Sequence, residues 1–167
     1  MNQPNENVLS DQHLRLFGSI VQWVAQYEFA IQRAIAGVLR IDLSSTLLVM
    51  RDLDFSQKRV ALLDLLSERN APRDQWERVF AHLALPHLHV QLRDQIVHLT
   101  WTKTPEPHSI QPNWILRLPP GVEPAFRDPT ADNISYTLDS LNEIATDLAS
   151  GHERFVAYLV EAGLVAP

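Results

Sequence analysis

A short stretch between Leu92 and Trp101 places an arginine and a histidine inside an otherwise apolar helical pattern. Arg93 is followed directly by Asp94 and, five positions after the arginine, by His98. An arginine holds a phosphate through paired hydrogen bonds, and a histidine gives or takes a proton near neutral pH. Burying such side chains is unfavourable unless they are paired or take part in chemistry. The segment is therefore the first candidate for a site that handles phosphate.

The spacing of these polar residues limits what one helix can do. Asp94 and His98 are four residues apart and share a helix face. Arg93 and His98 point in directions about 140° apart around the axis. Either the helix distorts at its end, or two copies of the segment combine in a dimer. The structural alternative is a salt bridge at Arg93 and a core imidazole at His98, hydrogen-bonded to Asp94 or Glu28.

The longest helical pattern runs from about Asp11 to Arg40 and has two neighbouring apolar stripes. A helix that is apolar over so wide an arc favours two partners, one within the chain and one elsewhere, such as a second subunit. Glu28 interrupts one stripe and should have a buried partner. Glu28 either supports Arg93 or His98, or forms a structural ion pair with a basic residue of this or the next helix: Arg33, Lys58 or Arg59.

Three further helical segments follow, and a proline-rich insert precedes the last of them. Their predicted bounds are a cap at Asp54 or Ser56 to about Arg69, Arg73 to about Leu99, and a cap at Thr137 to about Gly163. Pro86 kinks the middle segment or begins a new helix. In the insert, residues 102–133, seven prolines exclude a helix. Residues 114–118 are its only strand pattern, and we expect them to pair with residues 99–103 as a small hairpin.

Short connections favour an all-α fold, an antiparallel four-helix-type bundle. We expect a flexible N-terminus at residues 1–10 and a single helical domain at 11–167, with 102–133 as an irregular insert.

The 167 residues contain no apolar run of membrane-spanning length and no signal-peptide pattern, so the expected location is cytoplasmic and without a membrane partner. The absence of cysteine excludes disulfides and thiolate chemistry and removes the commonest zinc ligand.

The arrangement of these features resembles the HEPN superfamily of helical-bundle proteins. The resemblance rests on Arg93-Asp94-Gln95-Ile96-Val97-His98 near the end of the third helix, where the family commonly has Asn after the arginine. It extends to the acid in Tyr27-Glu28, to Trp101 shortly after the histidine, and to Tyr136-Thr137-Leu138 before the last helix. It covers most of residues 11–163.

The resemblance implies a metal-independent endoribonuclease of a prokaryotic defence or toxin–antitoxin system, such as abortive infection. His98 would be the general acid or base and Arg93 the phosphate clamp, leaving a 2′,3′-cyclic phosphate. Asp94 and Glu28 would support them, and Trp101 is a candidate for base stacking. The expected partners are a second copy, RNA and an antitoxin protein, with no cofactor and no metal.

The net charge of −6 argues against broad binding to nucleic acid, although a local basic patch remains open. The charge and the Asp at position 94 favour an alternative, a non-catalytic HEPN domain that binds a nucleotide or a partner protein. A third interpretation is an immunity or regulatory protein in which the Arg93–His98 pair is purely structural.

Overall fold

The computed structural model describes residues 8–113 and 134–165, and within them the chain is mainly helical. Five helices hold 72% of these residues, and a small three-stranded antiparallel sheet completes the secondary structure. In chain order the elements are α1 (Asp11–Leu39), α2 (Leu43–Val49), α3 (Phe55–Glu68), α4 (Arg73–His98), β1 (Thr100–Lys103), β2 (Ser109–Asn113), β3 (Tyr136–Thr137) and α5 (Leu138–Glu161). None of the described helices is both long enough and apolar enough to cross a membrane.

The predicted helix caps are confirmed where the structure describes them. Asp54 accepts a hydrogen bond from the Gln57 backbone N–H at 2.8 Å, and the Asp54 N–H donates to the Gln57 side chain at 2.9 Å. This reciprocal pair fixes the start of α3 at Asp54 rather than Ser56. Thr137 likewise accepts a hydrogen bond from the Ser140 N–H at 3.1 Å, which begins α5.

The helix α2 was not predicted from the sequence. Its seven residues are too few to show a helical period, and Ser, Thr and Val are weak helix formers. Asp42 starts the helix by accepting a hydrogen bond from the Ser45 N–H at 2.9 Å. Only Thr46 of this helix is buried, so α2 leaves Leu48 and Val49 exposed. A local cap therefore determines an element that the apolar pattern does not reveal.

Pro86 does not begin a new helix, because α4 continues through it from Arg73 to His98. A proline inside a helix removes the hydrogen bond from its own nitrogen to the carbonyl four residues earlier. The buried Pro86 ring shows that packing outweighs this loss. The helix is consequently longer than a break at Pro86 would allow, and it carries Arg93 and His98 on its last two turns.

The hairpin forms with a different partner strand from the one predicted. β1 pairs antiparallel with β2 in the register Thr100↔Asn113, and the predicted strand at 114–118 lies outside the described residues. The start of the insert is thus regular as far as Asn113. Pro112, opposite Trp101, is tolerated because among the described residues β3 reaches only Ser109 and Ile110 of β2. At Pro112 the strand has one described neighbour, as on a sheet edge.

The chain divides into two compact units, and the division falls inside α1, α4 and α5. Among the described residues, one unit comprises 8–21, 91–113 and 134–145, and the other comprises 22–90 and 146–165. The first contains the sheet and a core that includes Phe17, Leu92, Trp101, Ile110 and Leu141. The core of the second includes Tyr27, Ile31, Phe55, Leu62, Leu83, Leu148 and Phe155.

Both apolar stripes of α1 are largely buried within the single chain. From Phe17 to Val38 nearly every apolar member of the two stripes is buried or half-buried, whereas Leu14 is 54% exposed. A second subunit is therefore not needed to explain the wide apolar arc of this helix.

Candidate functional site

The Arg93–His98 segment forms the last two turns of α4, in the unit that contains the sheet. The Arg93 Nε lies 3.0 Å from the Asp94 Oδ1, and their side chains are 28% and 53% exposed. A partly exposed ion pair between adjacent residues contributes little to stability. Arg93 is therefore half-buried but accessible, and Asp94 compensates part of its charge. A phosphate would have to compete with this carboxylate.

His98 is the last residue of α4 and is exposed to solvent. The Leu99 N–H closes the helix on the Gln95 carbonyl at 2.9 Å, and β1 begins at Thr100. In the described part of the chain no hydrogen bond joins His98 to Asp94, which pairs with Arg93 instead. The interpretation of His98 as a core imidazole is therefore wrong. Its exposure leaves the ring open to a substrate.

One copy of the segment does not aim both groups at a single atom. The sequence left open that the helix distorts at its end and so brings Arg93 and His98 together. This distortion is absent, because the α-helix is continuous through His98. On such a helix the two residues are about 140° apart in direction and about 7.5 Å apart along the axis. An α-helix therefore directs these two side chains apart, and a second copy of the chain is one way to bring both groups to one phosphate.

Gln95 is a supporting residue that the sequence interpretation missed. It is buried on the inner side of α4, and its Oε1 accepts a hydrogen bond from the Tyr136 hydroxyl at 3.4 Å. Burial raises the pKa of the Tyr136 phenol, which keeps it protonated as a donor. The sequence did carry a signal, because Gln95 continues the apolar stripe that includes Leu92 and Leu99. The bond ties the end of α4 to β3.

Trp101 is part of the core and not a platform for a nucleic-acid base. Its side chain is 8% exposed, and its ring lies 4.7 Å from the Phe17 ring and 6.0 Å from the Tyr136 ring, centroid to centroid. Stacking on a base requires an open ring face. The expectation of base stacking at Trp101 is corrected accordingly. Trp101 instead packs with Phe17 and Tyr136 in the core of this unit.

Glu28 forms an ion pair with a basic residue of the following long helix. Its Oε2 accepts a hydrogen bond from the Lys58 Nζ at 2.7 Å, and the two side chains are 19% and 7% exposed. The expected buried partner is therefore confirmed as Lys58 of α3. Glu28 and Lys58 belong to one compact unit, whereas Arg93 and His98 belong to the other. The contact corresponds to the structural alternative given for Glu28.

His13, in the first turn of α1, also escaped the sequence interpretation. It is 4% exposed, and burial lowers the pKa of its imidazole, with the nearby charge of His108 acting in the same direction and the His108 backbone acting against it. Its Nδ1 lies 2.8 Å from the Ser10 Oγ. The Ser10-x-x-His13 spacing, that of a helix-capping pair, was the available signal.

Histidine and carboxylate side chains do not gather into a metal site in the part of the chain that the structure describes. Groups of three or more such residues that could hold an ion are absent there. Comparison of the chain with models of protein families, with curated proteins and with solved structures found no match. Function has to be argued from the chemistry of the side chains.

Proposed function

We propose that this protein is a metal-independent endoribonuclease that acts as a homodimer, with Arg93 and His98 at its active site. The proposal includes a HEPN-type four-helix bundle, a cytoplasmic location and a role in prokaryotic defence, with an antitoxin as a further partner. The exposed position of His98 at the end of α4, on the same two turns as Arg93, is the observation that carries it. Both side chains are accessible from solvent, as a polymeric substrate requires.

In the proposed reaction the ribose 2′-oxygen attacks the adjacent phosphorus and the bond from phosphorus to the 5′-oxygen breaks. His98 takes the proton from the 2′-hydroxyl or gives one to the departing 5′-oxygen. Arg93 exchanges its contact with Asp94 for the phosphate and stabilises charge on the non-bridging oxygens. The products are a 2′,3′-cyclic phosphate and a 5′-hydroxyl. The need for the 2′-hydroxyl makes the reaction specific for RNA.

The directions of the two side chains support the dimer. Because one helix turns Arg93 and His98 away from each other, the site is composite, with Arg93 from one copy and His98 from the other. Val97, which precedes His98 within the segment, is 53% exposed and offers apolar surface to the second copy. In a two-fold dimer the same contact occurs twice, which gives two such sites.

The test uses purified protein, a mixed panel of RNAs and end-group analysis of the products. His98→Ala should lose cleavage by about two to four orders of magnitude, the usual size of an acid–base contribution. Arg93→Ala should lose cleavage and bind RNA more weakly. His87→Ala is the matched control, since His87 is an exposed histidine of the same helix, and should retain activity. Chelators should not change the wild-type rate. Failure of the wild type to cleave any RNA would overturn the proposal.

Mixing the two inactive variants tests the composite site separately. A heterodimer of Arg93→Ala and His98→Ala holds one site with both groups intact and one with neither. If subunits exchange freely, half of the dimers are mixed, and about a quarter of the wild-type activity should return. If the mixture stays inactive although exchange of labelled subunits is demonstrated, both groups must come from one copy.

A second candidate function is binding without catalysis, to a nucleotide or to a partner protein. The ion pair between Arg93 and Asp94 favours the partner protein over the nucleotide, because the Asp94 carboxylate would compete with any phosphate for Arg93. The test compares the wild type with Asp94→Asn. If both bind the partner protein with the same affinity and neither cleaves RNA, binding without catalysis is the function.

A further inference from the structure

The short helix α2 exposes apolar side chains and buries a polar one. Leu48 and Val49 are 69% and 78% exposed, whereas Thr46 is buried. Ile41, just before the helix, and Leu47, within it, are exposed as well. Four of the ten large apolar side chains that are exposed among the described residues therefore lie within nine consecutive positions. Single exposed apolar residues need no explanation, but a cluster of them indicates a surface that another molecule covers.

The exposed face of α2 combines small and large side chains. Ser44 and Ser45 precede Leu48 and Val49 by one helical turn, and all four are exposed. When the same helix of a second copy packs antiparallel on this face, the leucine and the valine of each copy lie over the serines of the other. Large side chains opposite small ones are what close helix packing requires. The α2 face, defined by these four residues, is therefore complementary to itself in shape.

The charges at the two ends of α2 are complementary in the same arrangement. Arg40 and Asp42 lie at its beginning, and Arg51 and Asp52 follow its end, all four exposed. Hydrogen bonds from Ser45 lower the pKa of the Asp42 carboxyl, which is therefore ionised at neutral pH. Antiparallel packing brings the beginning of one helix to the end of the other. Asp42 then meets Arg51, and Arg40 meets Asp52, each pair twice in a two-fold dimer.

The ion pair within one chain does not prevent this exchange of partners. The Arg51 Nε lies 3.2 Å from the Asp52 Oδ1, but the two side chains are 71% and 83% exposed. A contact between adjacent residues with this exposure contributes little free energy. Both groups can therefore turn toward charges on a second copy.

We propose that α2 is a self-association surface, on which the α2 face of a second copy of this chain packs antiparallel. A match of the surface to itself in both shape and charge favours a second copy over an unrelated protein, which would need neither match. The surface lies in the unit of residues 22–90 and 146–165, whereas the Arg93–His98 segment lies in the other. The contact goes beyond the proposed ribonuclease dimer, and either contact can exist without the other. Because the face is short, we expect a weak and reversible association.

The experiment is sedimentation velocity of the full chain over a wide micromolar range of concentrations. Every variant, and the parent it is compared with, carries Val97→Glu, which removes apolar surface from the contact proposed beside His98. Association at α2 is thereby measured apart from the proposed function. We expect the parent to dimerise with rising concentration. Leu48→Ser should weaken dimerisation about tenfold or more, because this leucine is covered twice in the dimer.

Leu14→Ser is the matched control. Leu14 is also an exposed leucine of a helix, at 54%, and it belongs to the other unit, so this variant should associate as the parent does. A parent that stays monomeric at every concentration would overturn the proposal. Association of Leu48→Ser that equals that of Leu14→Ser would overturn it too, because the copies would then meet at another surface.

An exchange of charges tests the antiparallel arrangement. Arg40→Asp places like charges opposite each other twice and should weaken dimerisation about tenfold. Arg40 has φ 57°, a left-handed conformation that aspartate tolerates, so the end of α1 should keep its backbone. Arg40→Asp combined with Asp52→Arg restores opposite charges and should recover most of the association. If the double variant associates no more tightly than Arg40→Asp alone, the antiparallel contact is wrong.

Discussion

At the scale of single residues, Glu28 shows how a sequence can predict a buried contact. A carboxylate among aliphatic positions of α1 requires a partner, and the Lys58 ammonium lies 2.7 Å away with 7% of its side chain exposed. A charge of either sign left alone at this depth is strongly unfavourable. The two residues therefore depend on each other, and the free energy of unfolding should reveal it.

We predict that Glu28→Leu destabilises the protein by about 3 kcal/mol, because the buried Lys58 ammonium loses the carboxylate that it pairs with. Glu28→Leu combined with Lys58→Met should recover most of that loss, since apolar groups of similar size replace a buried ion pair well. Denaturant unfolding of the single and double variants measures the coupling. Additive effects in the double variant would contradict the assignment of the pair.

At the scale of elements, α1 contains two glycines in opposite environments. A methyl group added at Gly18 would meet no atom within 4 Å, whereas one added at Gly37 would overlap the Leu164 backbone carbonyl. The chain after α5 passes close to the last part of α1, and only glycine allows that approach. The same residue type is thus a weak point of the helix at one position and a packing requirement at the other.

We predict opposite signs for the same substitution at these two positions. Gly18→Ala should stabilise the protein by about 1 kcal/mol, the difference in helix propensity between the two residues. Gly37→Ala should destabilise it by about 2 kcal/mol, because the Leu164 backbone must move. Thermal unfolding of the two variants side by side provides the comparison. A stabilised Gly37→Ala variant would show that the chain after α5 is free to move away.

At the scale of the whole molecule, histidines in both units have lowered pKa values. Burial is the main cause at His13, His82, His89 and His152. In the unfolded chain these rings take up protons at about pH 6.5, and in the folded chain only at lower pH. Over that interval the unfolded state binds more protons, so acid favours unfolding.

We therefore expect the melting temperature to fall as the pH is lowered from about 6.5 toward the lowered pKa values, and to change little above that pH from this cause. His152→Gln should reduce the slope, because it removes one of the four contributions. Calorimetry over a pH series measures both effects. A melting temperature that is constant or rises on acidification through this interval would contradict the prediction.

The sequence by itself determined the long helices and their caps. The spacing of apolar residues placed α1, α3 and α5, because this signal depends on neighbours within a few residues. Thr137 marked the start of α5, whereas the sequence left Asp54 and Ser56 as alternatives for the start of α3. It also required a partner for Glu28. Whether Arg93 and His98 carry out chemistry stays a prediction.

Only the tertiary structure decided which side chains are buried and which strands pair, since these depend on residues far apart in the chain. Trp101 became a core residue because Phe17 and Tyr136 pack against it. Pro112 could enter a strand because little of β3 lies beside it. His13 and Ser109 are almost a hundred positions apart, and no local pattern relates them. Folding buries both in the same unit, because burial of apolar surface acts between distant segments regardless of their order in the sequence.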